Sequence, residues 1–90
     1  MIFFPSYTKQ FEKDLKLCKK RNKDIEKLKS IISQLIDQIE LPRKNKDHKL
    51  IGSYSGRREC HIESDWLLIY KIQNDEIIFE RTGTHSDLFD

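Results

Sequence analysis

The sequence has few of the residues that mark several common protein classes. Among 90 residues there are two cysteines, three glycines and two prolines, which are too few for a disulfide scaffold, a collagen-like chain or a flexible linker. The longest apolar run, around Trp66 to Ile69, is far shorter than the ~20 residues that cross a bilayer. The apolar start stops at Pro5 and is too short for a signal peptide. These absences predict a cytoplasmic protein with reduced thiols and no membrane partner.

The charged residues are numerous and unevenly distributed. Seventeen Lys and Arg oppose fifteen Asp and Glu, so the formal net charge is +2 although charged residues make up 36% of the chain. The second half holds all three histidines and a group of basic residues: Arg43, Lys44, Lys46, Lys49, Arg57, Arg58 and Arg81. Such a concentration of positive charge attracts a polyanion. The length predicts a single domain over residues 1–90.

Apolar spacing predicts two helices in the first half. The first has Ser6 as its N-cap and an apolar face made of Tyr7, Phe11, Leu15 and Cys18. The second has Asn22 or Asp24 as its N-cap and ends at Leu41, before Pro42. Its apolar stripe consists of Ile25, Leu28, Ile32, Leu35 and Ile39, and Ile31 and Ile36 widen it at the margin. Two amphipathic helices with so short a connection are expected to pack as an antiparallel hairpin.

The second half predicts strands. Residues 57–62 alternate, so that Cys60 and Ile62 face one side while Glu59 and His61 face the other. Residues 66–72 are apolar on both sides, as in a central strand, and residues 73–75 predict a turn into a partner strand over 76–82. Residues 2–4 are a candidate for one more short strand. The predicted class is α+β, with an N-terminal helical hairpin packed on a twisted, mostly antiparallel sheet.

The three histidines lie outside the predicted helices and are candidates for proton transfer. His48 lies in a basic loop with Lys46 and Lys49, His61 lies on the polar side of a strand, and His85 follows the last strand. Histidine exchanges a proton near neutral pH, because its ordinary pKa is about 6.5. RNA carries its own nucleophile, the 2′-hydroxyl, so a base, an acid and a cation at the phosphate suffice to cleave it.

Three further charged residues belong to this candidate site. Asp65 begins the central strand, directly after the turn that follows His61. Arg57 is predicted beside His61 on the sheet face opposite the helices, and Arg81 is a further candidate for that face. Arginines near the histidines would hold a phosphate and stabilise the charge that develops on it.

Each of these residues also has a structural interpretation. His48 fits a solvated loop, His61 fits a cross-strand pair and His85 fits a turn. A zinc site that combines the histidines with Cys60 is disfavoured, because Cys60 and His61 are neighbours in a strand and point to opposite faces. The residues alone therefore leave two hypotheses open, a polyanion-binding domain and an RNA-cleaving domain.

Three segments of the chain, taken together, resemble a known family. They are Lys-Asp-His at 46–48, Cys-His-Ile-Glu-Ser-Asp-Trp at 60–66, and Phe-Glu-Arg-Thr-Gly-Thr-His-Ser-Asp-Leu-Phe at 79–89. They resemble the YafQ branch of the RelE-like toxins of bacterial type II toxin–antitoxin systems. The resemblance implies a RelE-like fold and an mRNA interferase, a ribosome-dependent endonuclease that cuts mRNA in the ribosomal A site. It also implies a cognate antitoxin as partner, with operator DNA bound only indirectly through that antitoxin.

The resemblance also implies roles for individual residues. The functional positions of that branch match His48, His61, Asp65, His85 and Phe89 of this sequence. His85 and Asp65 are then the leading acid–base candidates, His48 and His61 position the phosphate or share proton transfer, and Phe89 orients a base.

The remaining site predictions concern charge at the substrate. Arg81 is predicted to stabilise the transition state, and Arg57, Lys46 and Lys49 to contact the substrate, with no metal and no cofactor. Asp90, the residue after Phe89, is predicted to place two carboxylates beside the site, that of its side chain and that of the chain terminus. The alternative function is a non-catalytic module that binds RNA or an antitoxin.

Overall fold

The computed structural model describes residues 2–89 and contains a five-stranded sheet with three α-helices. The strands are β1 (Phe4–Tyr7), β2 (His48–Lys49), β3 (Arg58–Glu63), β4 (Trp66–Gln73) and β5 (Glu76–Gly83). The helices are α1 (Lys9–Lys20), α2 (Ile25–Ile36) and α3 (His85–Phe89), and short 3₁₀ turns occupy Arg43–Asn45 and Gly52–Tyr54. Within residues 2–89, no helix is both long enough and apolar enough to cross a membrane.

The strands follow the order β1-β5-β4-β3-β2 across the sheet. β1 runs parallel to β5 at one edge, and every other neighbouring pair is antiparallel. β4 lies in the centre, and its residues from Trp66 to Tyr70 are all buried, as the sequence predicted. The α+β class and the mostly antiparallel sheet are thereby confirmed.

α1 and α2 cover one face of the sheet. Cys60, Trp66 and Leu68 project from the strands into a core that Phe11 and Leu28 complete from the helices. Each large apolar side chain buried in this way contributes about 1.5–3 kcal/mol to the free energy of folding. Because Cys60 points into this core, its neighbour His61 is directed to the opposite face of the sheet, as predicted.

The start of α1 differs from the prediction. Thr8, not Ser6, is the N-cap, and its Oγ1 accepts the Phe11 N–H at 3.0 Å. Ser6 lies in β1, which occupies residues 4–7 and not the predicted 2–4. Pro5 is tolerated there because β1 is an edge strand, where a missing N–H costs no ladder hydrogen bond. In α2, by contrast, Asp24 is the N-cap, in agreement with the prediction.

α2 ends earlier than predicted. The helix stops at Ile36, Asp37 caps it, and Gln38 has a φ of 58°, which turns the chain away from the helix axis. Ile39 therefore lies outside the helix and is 53% exposed, so its assignment to the apolar stripe was wrong. Ile31, which the periodicity placed at the margin of the stripe, is buried instead.

A second, smaller apolar cluster lies on the other face of the sheet. Leu67 and Ile69 of β4 are fully buried there against Leu88 of α3. Neither α3 nor β2 is predicted from the sequence, and both lie beside this face. The cluster attaches the C-terminal helix to the centre of the sheet, next to the residues of the candidate site.

Candidate active site

Three histidine rings form a row on the face of the sheet opposite α1 and α2. His61 of β3 lies in the middle, with ring-centre distances of 6.4 Å to His48 and 5.9 Å to His85. His48 belongs to β2, which pairs with β3, and His85 is the first residue of α3. The sheet and the C-terminal helix thus bring together three side chains that are far apart in sequence.

Glu59 connects two of these histidines. Its Oε2 lies 3.0 Å from Nε2 of His48 and 3.9 Å from Nε2 of His61. The carboxylate is buried, and its other oxygen, Oε1, has no hydrogen-bond partner among residues 2–89. A buried carboxylate oxygen of this kind retains the capacity to accept one more hydrogen bond or a proton.

His48 is held between two hydrogen-bond acceptors. Its Nδ1 donates to the Lys46 carbonyl at 2.6 Å, and its Nε2 faces the Glu59 carboxylate. These two oxygen partners fix the orientation of the imidazole at the edge of the row.

His85 forms the shortest contact with a carboxylate in this row. Its Nδ1 donates to Oδ1 of Asp65 at 2.7 Å, and its backbone N–H donates to the same oxygen at 2.9 Å. The backbone hydrogen bond, followed by the ring, lowers the pKa of Asp65 below its usual value. Since Nδ1 is engaged with Asp65, Nε2 is the ring atom left to exchange a proton with a substrate.

An aromatic pair closes the end of the row. Phe89 lies 6.2 Å from the ring of His85 and 5.4 Å from the ring of Tyr54, which meets it at 78°. The Tyr54 hydroxyl donates to the carbonyl of Leu88 at 3.2 Å. Phe89 is 43% exposed, so its ring is open to a planar ligand such as a nucleobase.

Arg81 is engaged with α1 and not with the histidines. Its Nε and Nη2 donate to Asp14 at 2.8 and 3.3 Å, and this contact raises the pKa of the guanidinium. Asp14 is buried and also accepts the backbone N–H of Thr82 at 3.1 Å. A bidentate ion pair to a buried carboxylate is typical of an arginine that joins two elements of the fold. The transition-state role of Arg81 therefore stays a prediction.

The other predicted substrate contacts lie on two sides of β3. Lys46 lines a groove of about 520 Å³ together with His61. Lys49 and Arg57 line a separate groove of about 400 Å³, and Arg57 is ion-paired with Glu80. The structure therefore places Lys46 beside the row of histidines and places Lys49 and Arg57 farther along the sheet. Asp90, with the carboxylates predicted there, lies outside the described residues.

Comparison with known proteins agrees with this geometry. A model of the family described as the bacterial toxin of the type II toxin–antitoxin system, YafQ, matches residues 4–90. The chain belongs to the YafQ toxin family. Over 84 residues it is 50% identical to the mRNA interferase toxin YafQ of Escherichia coli strain K12, which covers 92% of this chain and 91% of the relative.

Solved structures of bacterial toxins have the same fold. The E. coli DinJ–YafQ toxin–antitoxin complex contains a chain that matches with a TM-score of 0.92 and 46% identity, and the match covers 100% of both chains. The metal-bound toxin of Helicobacter pylori matches with a TM-score of 0.89 and 36% identity over 99% of this chain and 100% of that one. The predicted α+β architecture is thereby confirmed for this YafQ-family chain.

Two residues of this YafQ-family site, Glu59 and Tyr54, were not predicted from the sequence. Glu59 and His61 are two residues apart in β3, so the alternation of the strand places both on one face. No pattern in the neighbouring residues indicated that Glu59 is buried between two histidines. Tyr54 lies in a segment for which the sequence predicts no helix or strand, and only the folded chain brings its ring to Phe89.

Asp87 of α3 provides a test of how acid affects this site. Hydrogen bonds from Arg21 and from the backbone of Thr84 lower the pKa of Asp87 to about 2. Because the folded pKa is below the usual value of 3.8, the stabilisation is present above about pH 4 and is lost as the pH falls towards 2. Arg21 is half-exposed and solvent screens its charge, so we expect the Asp87 carboxylate to contribute only about 1 kcal/mol to the free energy of unfolding.

The measurement is the free energy of unfolding of the wild type and of Asp87→Asn between pH 2 and pH 7. The difference between the two proteins is expected to be nearly constant above pH 4 and to shrink to a small fraction of that value as the pH approaches 2. A difference that persisted undiminished at pH 2 would show that the Asp87 charge is not its cause.

Proposed function

We propose that this chain is an mRNA interferase toxin, an endoribonuclease that cuts translated mRNA and that a cognate antitoxin inhibits. The observation that carries the proposal is the Asp65–His85 pair, 2.7 Å apart, at one end of a row that continues through His61 to His48. The family membership and the name of the E. coli relative support the same activity.

The chemistry follows from the groups in the row. Cleavage requires a proton acceptor for the 2′-hydroxyl, a cation at the phosphate and a proton donor for the leaving 5′ oxygen. His85 exchanges a proton at Nε2 while Asp65 holds its Nδ1. The proposed cation at the phosphate is the protonated form of His48, which lies beside the Glu59 carboxylate, and His61 stands between His48 and His85. No covalent intermediate on the protein and no metal are needed.

The surroundings of the row suit single-stranded RNA. Phe89 offers an exposed ring on which a base of the message stacks. Lys46 beside the row, with Lys49 and Arg57 along the sheet, attracts the phosphate backbone. The proposed substrate is mRNA in the ribosomal A site, and the proposed unit is one domain over residues 1–90 that acts in the cytoplasm.

The helical layer offers a surface for the antitoxin. A groove of about 480 Å³ runs between α1 and α2 and is lined mainly by apolar side chains: Tyr7, Phe11, Leu15, Ile25, Leu28, Ile32 and Ile36. Such a groove accepts the apolar side of a partner segment. The proposed antitoxin covers this layer or the basic groove beside His61, and contacts with operator DNA come through the antitoxin.

The test is primer extension on an mRNA that is being translated in a purified system. We expect the wild type to produce new 5′ ends within the message, and to produce none or far fewer on the same RNA without ribosomes. Arrest of translation without new ends would instead indicate a non-catalytic binding module. Because one relative was solved with a metal, the metal content of the active preparation is measured in parallel, and stoichiometric metal would favour a metal-dependent hydrolase.

A further inference from the structure

The C-terminal helix α3 carries two residues of the candidate site, His85 at its start and Phe89 at its end. With five residues it is far shorter than the ~12–15 residues at which an isolated helix becomes marginally stable in water. The geometry of the Asp65–His85 pair therefore depends on the contacts that hold α3 against the rest of the protein.

The N-terminus of α3 is closed by a reciprocal pair of hydrogen bonds. Oδ2 of Asp87 accepts the Thr84 N–H at 3.0 Å, and Oγ1 of Thr84 accepts the Asp87 N–H at 3.1 Å, as in a capping box. Gly83 permits this arrangement, because a Cβ at that position would lie 2.9 Å from Oδ2 of Asp87. These contacts fix the Asp87 carboxylate close to the end of β5.

The same carboxylate binds the far end of α1. Arg21 is the C-cap of α1, and its Nη1 and Nη2 donate to the two oxygens of Asp87 at 2.7 and 3.3 Å. The guanidinium fork matches both oxygens, which restricts the orientation of the carboxylate as well as its distance. This ion pair joins α3 to a helix 66 positions earlier in the chain.

We propose that Arg21 is a positioning residue for the cleavage reaction: through its ion pair with Asp87 it holds α3 in the orientation in which His85 contacts Asp65. The proposal rests on the proposed function of His85. Within residues 2–89, Arg21 makes no side-chain hydrogen bond or ion pair with Asp65 or with the three histidines of the row, and it acts only through the placement of α3. Displacement of a reacting group by about 1 Å costs up to about 100-fold in rate, so a modest shift of α3 would be visible in kcat.

The variants separate the ion pair from the cap. Arg21→Gln removes the guanidinium, and Arg21→Lys keeps the charge without the fork. Asp87→Asn removes the charge but leaves an oxygen to accept the Thr84 N–H. Lys20→Gln is the matched control, because Lys20 adjoins Arg21 at the end of α1, is exposed and has no ion pair within residues 2–89.

We expect Arg21→Gln and Asp87→Asn each to lower kcat by about tenfold, with no further loss in the double variant, because both remove the same interaction. Arg21→Lys should show a smaller loss, and Lys20→Gln should cleave like the wild type. All rates are measured below the unfolding transition of each variant, so that loss of folded protein does not enter the comparison.

The second measurement follows Asp65 itself by carbon-13 NMR of its side-chain carboxyl. Contacts with His85 hold the pKa of Asp65 below its usual value, so we expect it to rise in Arg21→Gln and in Asp87→Asn and to stay unchanged in Lys20→Gln. Wild-type cleavage by Arg21→Gln, or a loss of cleavage with an unchanged Asp65 titration, would overturn the proposal. The titration needs no RNA, so a wild type that cuts nothing would refute the proposed function while the Asp65 result still decides whether Arg21 places α3.

Discussion

Replacing His85 by alanine is expected to reduce mRNA cleavage by about 10²–10⁴-fold, the usual contribution of a positioned acid or base. His85 is the histidine of the row that is bound at Nδ1 by a carboxylate, and its Nε2 is left to exchange a proton. The side chain is more than half exposed, so its removal leaves no cavity and should not disturb the fold. The measurement is primer extension during translation, together with growth of cells that express the variant.

Ser86→Ala is the matched control for this experiment. Ser86 is the next residue of α3, is exposed, and makes no side-chain hydrogen bond within the described part of the chain. We expect it to cleave like the wild type. His85→Ala should retain the fold and the affinity for the antitoxin, since neither depends on proton transfer. A well-expressed His85→Ala protein that still cut mRNA at the wild-type rate would refute the assignment.

Replacing Asp14 by alanine is expected to lower the free energy of unfolding by about 3 kcal/mol, the cost of leaving a buried charge and a backbone donor without their partner. Asp14 lies on the buried face of α1 and accepts hydrogen bonds from both the Arg81 guanidinium and the Thr82 N–H. A native domain is stable by only about 5–15 kcal/mol, so the loss would be a large fraction of the total. Urea unfolding measures it, and Lys13→Ala on the same helix is the exposed control.

The same series tests whether Arg81 is structural or catalytic. If its main partner is Asp14, Arg81→Ala loses about as much stability as Asp14→Ala, and the double variant loses little more. Cleavage then falls in parallel in both single variants. A loss of cleavage confined to Arg81→Ala, with Asp14→Ala still active, would instead restore the predicted role of Arg81 at the transition state.

The predictions that succeeded depend on short-range patterns. The alternation through β3 put Cys60 in the core and His61 on the other face, and the run of apolar residues identified β4 as the central strand. Period and face are properties of consecutive residues, so the sequence displays them directly. Asp24 was one of two predicted N-caps for the same reason, since its partner is the backbone N–H of Glu26, two residues later.

The features that the sequence did not predict depend on contacts between distant residues. α3 has no stability of its own and exists because Leu88 is buried against β4 and because Arg21 binds Asp87. β2 has two residues and forms only where β3 offers an edge. The ion pair between Arg81 and Asp14 was not predicted either, because no local pattern identifies a partner 67 positions away.

The sequence by itself determined which reactive groups are present and on which face of the sheet they lie. It has few cysteines and glycines, three histidines among many basic residues, and a strand whose alternation turns His61 away from the core. The tertiary structure decided which of these groups meet. It buried Glu59 between His48 and His61, placed Asp65 against His85, and engaged Arg81 elsewhere. The reason is physical: periodicity fixes the direction of a side chain relative to its own strand, whereas the protonation and charge of a site depend on partners that only the folded chain brings within 3 Å.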